Sequence, residues 1–336
     1  MTNGARMLGD MADPHSGTAT HEFAGHVVCT LAEGRYFYGV AALVNSLVRA
    51  GFEGMVLVGC RGARPEWLGA LAHDAATDTY GVNPGVRLKL VEVAGEWHLN
   101  NCKPLFIDSV LSVICPKAEL VYYFDTDIVI NNAWSVFVNW ARGGVLMVLD
   151  PADSYMSPHH VYRRTWQALA ARLGLTCREF TGYVNGGCVG ISREHAEFAS
   201  IWTGLMKVLE SDGADMRKMK NATGKIEFSR MDQDVLNATI MATRTPLALL
   251  GSEAMGMFPW VGDVMPHAMW GTKPWARNYI LDALRGFPPG RVHRAYWEVA
   301  NHPIRPFPSA AFRLKRLQLA IGNFIGLLHT RSFRDI

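Results

Sequence analysis

The run LVYYF (Leu120–Phe124) offers no charged or amide side chain on either face of an extended chain. A strand of that kind has to be covered on both sides, as happens in a sheet sandwiched between layers of helices. Other stretches make the same demand. His26–Leu31 and Gly54–Gly59 are short apolar strands, Val86–Val93 alternates, and Gly144–Leu149 is apolar again. Between them, Tyr38–Ala50 has helical spacing that stops at Gly51, and Lys103–Cys115 reads as a helix ended by Pro116. Strands alternating with helices predict an α/β fold built on a mainly parallel, doubly wound sheet. No glycine-rich dinucleotide or P-loop motif follows any of these strands, so those two kinds of phosphate site are not expected.

The second half is less regular. Tyr183–Ile191 is a strand carrying Gly186 and Gly187, which suggests a close backbone approach or a bulge. Helices are expected at Arg193–Glu210 and Asp232–Thr243, and His267–Trp275 is a loop dense in aromatic and cationic groups. Composition sets the class of partner. A net charge of +3 over 336 residues does not favour nucleic acid. The six cysteines show no zinc-type spacing, so free, reduced and mostly buried thiols are expected. Residues 1–25 lack the apolar segment of a signal peptide and read as a disordered lead-in, and no apolar run is long enough to span a bilayer. These features point to a cytoplasmic protein.

Asp125 and Asp127 stand directly after the apolar strand, where open α/β sheets collect ligands. Asp is common in turns. The pair is equally a set of hard oxygen ligands for a divalent cation. The tripeptide does not decide between these, because a second Asp-x-Asp occurs at Asp232 and Asp234. Three further pieces bear on the choice: NGG (Asn185–Gly187), DQ (Asp232–Gln233) at a helix start, and HAMWGTKPW (His267–Trp275). Singly these are a turn, a helix cap and a solvated loop. Together and in this order they serve one purpose.

That order resembles the GT-A-fold retaining glycosyltransferases of family eight, the group containing glycogenin and bacterial lipopolysaccharide galactosyltransferases. The resemblance runs from about His26 to about Arg285. One departure is the three residues between His267 and Gly271, where the family usually has two; this bears on where Lys273 reaches. The resemblance implies a GT-A catalytic domain over 26–300 with a smaller acceptor-side region. It implies that Asp125, Asp127 and His267 ligate a divalent metal, manganese or magnesium, on the diphosphate of a UDP-sugar donor. Lys273 and Gly271 would hold the diphosphate. Tyr36 would stack on the uracil, with Leu31 and Ala32 binding the nucleoside through backbone groups. Lys103, Asp150, Asn185, Asp232 and Gln233 would bind the donor sugar, with Thr126 and Gly186 beside them, and Gln233 and Asp232 nearest the chemistry. Val58 and Arg61 are weaker candidates for the nucleotide border.

The implied activity is transfer of a hexose, with retention, to the hydroxyl of a glycan, lipid-linked or protein acceptor in polysaccharide synthesis. Two alternatives stay open. A sugar nucleotidyltransferase would want a glycine-rich, arginine-containing loop after the first strand, where this chain has an aromatic one. A noncatalytic sugar-nucleotide or glycan-binding module would tolerate loss of metal ligands, yet all three are present. Residues 301–336 form a basic tail in which Phe312, Leu317, Ala320, Ile321, Phe324 and Leu328 define one apolar helical face. Either it packs on the domain, or it lies on the inner face of an anionic membrane with His302–Ser309 as a semi-rigid spacer. Oligomeric state is not legible in the sequence.

Overall fold

A computed structural model describes residues 25–151, 155–220, 226–257, 264–269 and 271–332. The expected lead-in therefore lies almost wholly outside the described residues. The core is one nine-stranded sheet ordered β3-β4-β5-β2-β1-β6-β8-β7-β9. Its strands are β1 (His26–Glu33), β2 (Gly54–Arg61), β3 (Ala72–Asp74), β4 (Thr79–Asn83), β5 (Val86–Glu92), β6 (Leu120–Phe124), β7 (Val145–Leu149), β8 (Val184–Ser192) and β9 (Leu247–Leu250). Strands β5, β2, β1 and β6 run parallel, as their apolar runs require. β8 is antiparallel to both β6 and β7, β7 pairs parallel with β9, and the β3–β4 hairpin caps the far edge.

Helices cover both faces. On one side α1 (Phe37–Arg49) and α3 (Trp134–Ala141) close a core around Val40, Leu43, Tyr122 and Phe137. On the other, α2 (Lys103–Ser109), α4 (Val161–Ala171), α5 (Glu197–Ser211) and α6 (Met231–Ala242) close one around Phe106, Tyr123, Trp166, Trp202 and Val235. The helix expected over Lys103–Cys115 is α-helical only to Ser109 and ends in a π turn, Val110–Ile114. The helix expected from Arg193 starts as a 3₁₀ turn, with α5 proper beginning at Glu197. The cysteines are free, and all but Cys177 are buried.

Strand β1 has β2 on one side and β6 on the other, so the chain leaves it in one direction and returns in the other. This is the point in a doubly wound sheet where the connections diverge and leave a crevice at the carboxyl ends of the strands. Gly39 lets α1 close over that crevice. A Cβ there would come within 2.4 Å of the Thr126 carbonyl oxygen.

The C-terminal third wraps the same end. Helices α7 (Tyr279–Leu284), α8 (Arg291–Val299) and α9 (Ser309–Ser332) share a small core of Trp275, Tyr279, Tyr296, Trp297 and Leu319. The Pro-rich segment before α9 does not stand off as a spacer. Asn45 donates to the carbonyls of Val299 and Ile304 and accepts from the Ile304 amide, and Phe307 stacks on Tyr38 with ring centres 4.7 Å apart. Among the described residues no helix is long and apolar enough to cross a membrane.

Candidate active site

A cavity of about 540 Å³ opens at the carboxyl ends of β1 and β6. The strand β6 ends at Phe124, and the next residues turn so that Asp125 and Asp127 both face the cavity. The turn is held from two sides. The Asp125 amide donates to the Gly187 carbonyl on β8, and the Ala268 amide donates to the Asp127 carbonyl. That second bond belongs to an antiparallel bridge between Ile128 and His267, which carries the distant His267 onto the Asp-x-Asp turn. Its Nε2 lies 3.2 Å from Asp127 Oδ1 and 3.7 Å from Asp125 Oδ2.

These three side chains are the one His/Cys/Asp/Glu group of metal-ligand type among the described residues, their ligating atoms all within 4.8 Å of one another. Oxygen or nitrogen ligands about 2.1 Å from an octahedral cation stand about 3 Å apart when adjacent and about 4 Å apart when opposite. The two His267–carboxylate separations, 3.2 and 3.7 Å, fall in that range, and two carboxylates with one imidazole form a set that could hold a divalent cation. The imidazole is backed by glycine: a Cβ on Gly187 would lie 2.5 Å from His267 Cε1. His267 Nδ1 is buried without a hydrogen-bond partner.

Cations hold the acids in place. Lys103, almost fully buried, bridges Asp125 Oδ1 at 3.0 Å and Asp232 Oδ2 at 2.9 Å and donates to the Gly186 carbonyl. Burial opposes its charge, but the two carboxylates overcome this and hold its pKa above the usual lysine value. Lys273 Nζ stands 2.5 Å from Asp127 Oδ2, so the extra residue after His267 does not keep it from the site. Burial likewise disfavours the charge on Asp127, and His267 and Lys273 reverse that, leaving its carboxyl well below the ordinary range.

A second network lies beside the first. Asn185 and Gln233 both donate to Asp150 Oδ2, at 3.1 and 3.2 Å, while Gln233 Oε1 accepts from the Gly186 amide. Gln233 is thus fixed at both ends of its amide. The two residues of the second Asp-x-Asp divide: Asp232 faces the cavity, and Asp234 turns away to accept from the Tyr183 hydroxyl and the Arg230 amide. Residues two apart on a helix point to nearly opposite sides.

Of the residues expected from sequence, Leu31, Ala32, Tyr36, Lys103, Asp125, Thr126, Asp127, Asp150, Asn185, Gly186, Asp232, Gln233, His267 and Lys273 all line the cavity. Gly271 lies outside the lining, at a left-handed φ of 67° two residues before Lys273. Val58 and Arg61 are elsewhere. Val58 is in the core, and Arg61 donates to the carbonyls of Val93, Ala94 and Trp97. Sequence reasoning did not pick out Tyr123, whose hydroxyl donates to Asp125, or His98, Asn100, Lys220 and Arg230. The Tyr123 signal was present: on a strand, residues two apart share a face, and Asp125 is two on.

No protein-family model and no curated protein matches the chain. Solved structures do. The bifunctional glycosyltransferase WbbM superposes with a TM-score of 0.55 at 12% identity over 88% of this chain. That match spans about half of WbbM, 52% of its length. The galactosyltransferase LgtC, solved with donor and acceptor sugar analogues, superposes at 0.55 and 13% identity over 86% of this chain and 99% of LgtC. An active-site glutamine-to-glutamate variant of LgtC gives 0.53 at 14%. The fold is therefore the GT-A fold of glycosyltransferases.

Proposed function

We propose that the protein is a metal-dependent, retaining hexosyltransferase of the family-eight type. It would move a hexose from a UDP-sugar to an acceptor hydroxyl in glycan or lipid-linked saccharide synthesis. The single observation that carries this reading is the convergence of Asp125 and Asp127 with His267, more than a hundred residues further along the chain, at the crevice of a GT-A fold. Residues 26–300 would form the catalytic domain and 301–336 its basic tail.

Asp125, Asp127 and His267 would hold the cation, manganese or magnesium. A divalent cation supplies Lewis-acid stabilisation of the negative charge that develops on the departing diphosphate. Lys273 would add a point charge for the same oxygens, with Gly271 two residues before it at a left-handed φ of 67°. Tyr36, about half exposed and edge-on to Trp275, offers a free face for the uracil, beside the backbone of Leu31 and Ala32. Asp150, Asn185, Asp232 and Lys103 would bind sugar hydroxyls, and the immobilised Gln233 would steady the anomeric centre.

Asp125 and Asp127 share one cluster, so they do not straddle a scissile bond as the acid and base of a glycosidase do. A same-face attack, with the leaving diphosphate accepting the proton of the acceptor hydroxyl, suits this site better than a covalent intermediate. Titration calorimetry tests the reading. Uridine diphosphate should bind far more tightly with manganese than in excess chelator, and guanosine diphosphate should bind weakly in both. Equal binding of the two nucleotides, or metal-independent binding, overturns it.

A further inference from the structure

Helix α9 has two apolar faces, and its packing uses one. The inward face carries Phe312, packed near Trp297, the buried Leu319, and two glycines. A Cβ at Gly322 would lie 2.6 Å from the Tyr279 carbonyl oxygen, and one at Gly326 would lie 2.5 Å from Pro288 Cβ. The helix is therefore pressed backbone-close onto α7 and the turn that follows it. Lys315 adds a hydrogen bond to the Arg277 carbonyl.

The outward face is a stripe at spacings of three and four: Leu314, Leu317, Ile321 and Phe324, between 37% and 61% exposed. Leu284 and Phe287, on α7 and the turn beside α9, are more than 60% exposed as well. Exposed Arg313 and Arg316 head the stripe, and Arg331 and Arg334 follow it in sequence. No Asp or Glu occurs between Glu298 and Asp335.

We propose that this face docks on a bilayer containing anionic lipid, with α9 lying in the interface parallel to the surface. A contiguous apolar face this exposed calls for an occupant, because soluble domains keep such patches small. Arg313 and Arg316 at its head, in a stretch of sequence without Asp or Glu, complement a negatively charged headgroup layer. The same lack of acids gives them no charge partner on the matching face of a second copy of the chain. The inference refines the apolar face expected from sequence, since Phe312 belongs to the packed side and Leu314 to the free one. It rests on α9 and the turn beside it, and stands apart from the sugar-transfer reading.

Flotation of the full chain tests it, using phosphatidylcholine vesicles with and without phosphatidylglycerol. The protein should float with the anionic vesicles and much less with the neutral ones. Arg313→Gln with Arg316→Gln should weaken binding to anionic vesicles about 25-fold, each cation near such a surface contributing about fivefold. Leu317→Gln with Phe324→Gln should abolish flotation while thermal unfolding and light-scattering mass stay as in the wild type. Absence of flotation in the wild type, equal flotation of the variants, or a lowered unfolding temperature in the leucine–phenylalanine variant overturns the proposal. So does a dimer that this variant dissolves.

Discussion

Gly187→Ala should separate metal binding from fold stability more cleanly than removal of a ligand. The added Cβ would sit 2.5 Å from His267 Cε1 and 2.9 Å from Asn185 Oδ1. Carbon atoms in contact rest about 3.5–4.0 Å apart, so the imidazole must give way by about 1 Å. It has little room, because the ring is buried and Asp127 Oδ1 stands 3.2 Å from Nε2. Metal sites tolerate ligand displacements of about 0.2 Å. Mispositioning a ligand costs about 10–100-fold in metal affinity, or about 1.4–2.7 kcal/mol. Overpacking of this kind costs about 1–3 kcal/mol in stability, so the protein should still fold. Gly186→Ala is the internal control, since its Cβ would meet nothing nearer than 3.5 Å. Manganese binding in the presence of uridine diphosphate, read by electron paramagnetic resonance of the free ion, should fall for the first variant and hold for the second. Wild-type affinity in Gly187→Ala, or equal losses in both, would refute a metal role for His267.

Lys103→Met should destabilise the fold by about 3–5 kcal/mol in urea unfolding, because it leaves Asp125 and Asp232 facing each other without their buried cation. A loss under about 1 kcal/mol would show that the site does not need that charge. Lys273→Met should raise manganese affinity in the absence of nucleotide and lower uridine diphosphate affinity in the presence of manganese, both readable by calorimetry; a fall in both would contradict a competition between Lys273 and the cation for Asp127. Burial pushes the Asp234 carboxyl up to about 7 from its ordinary 3.8. The folded state then keeps a proton that the unfolded chain releases, so this group makes stability fall as pH rises from about 4 to about 7, by up to about 4 kcal/mol. Asp234→Asn should flatten that slope relative to wild type when unfolding free energy is measured across the window, and parallel slopes would refute the assignment.

The parts of the site legible in the sequence were those whose chemistry is local. Asp125 and Asp127 announce themselves by following an apolar strand, and Asp232–Gln233 by opening a helix. What brings His267 to them is a backbone bridge at Ile128, and nothing in the loop's own residues encodes that pairing. Gly39 is a similar case. Within a good helical run it reads as a weak point, and only the Thr126 carbonyl packed against it explains it. The tail shows the limit most plainly. Its apolar residues lie almost all round the helix, so periodicity could not tell the packed face from the free one. Gly322 and Gly326 make that choice, by admitting Tyr279 and Pro288. The β3–β4 hairpin went unread because its short strands mix charged and apolar residues without a clean period, whereas Tyr162, Trp166 and Leu169 of α4 did recur at helical spacing and were overlooked.

The charges of the site also bear on how a donor would enter. Four buried or half-buried acids, Asp125, Asp127, Asp150 and Asp232, are already paired with the cations Lys103, Lys273 and Arg230. Such pairing keeps like charges from expelling one another in a low dielectric. It also means that Lys273 occupies an oxygen of Asp127 that a cation would want. On the proposed function, a dication arriving alone would have to compete with that ammonium and should bind weakly. One arriving with a diphosphate should not, because phosphate oxygens would give Lys273 a new partner in place of Asp127. Metal and nucleotide would then favour each other's binding through one lysine, and the site would select the metal–nucleotide complex over either part. Lys103, held by two carboxylates and the Gly186 carbonyl at once, is the more firmly fixed of the two lysines.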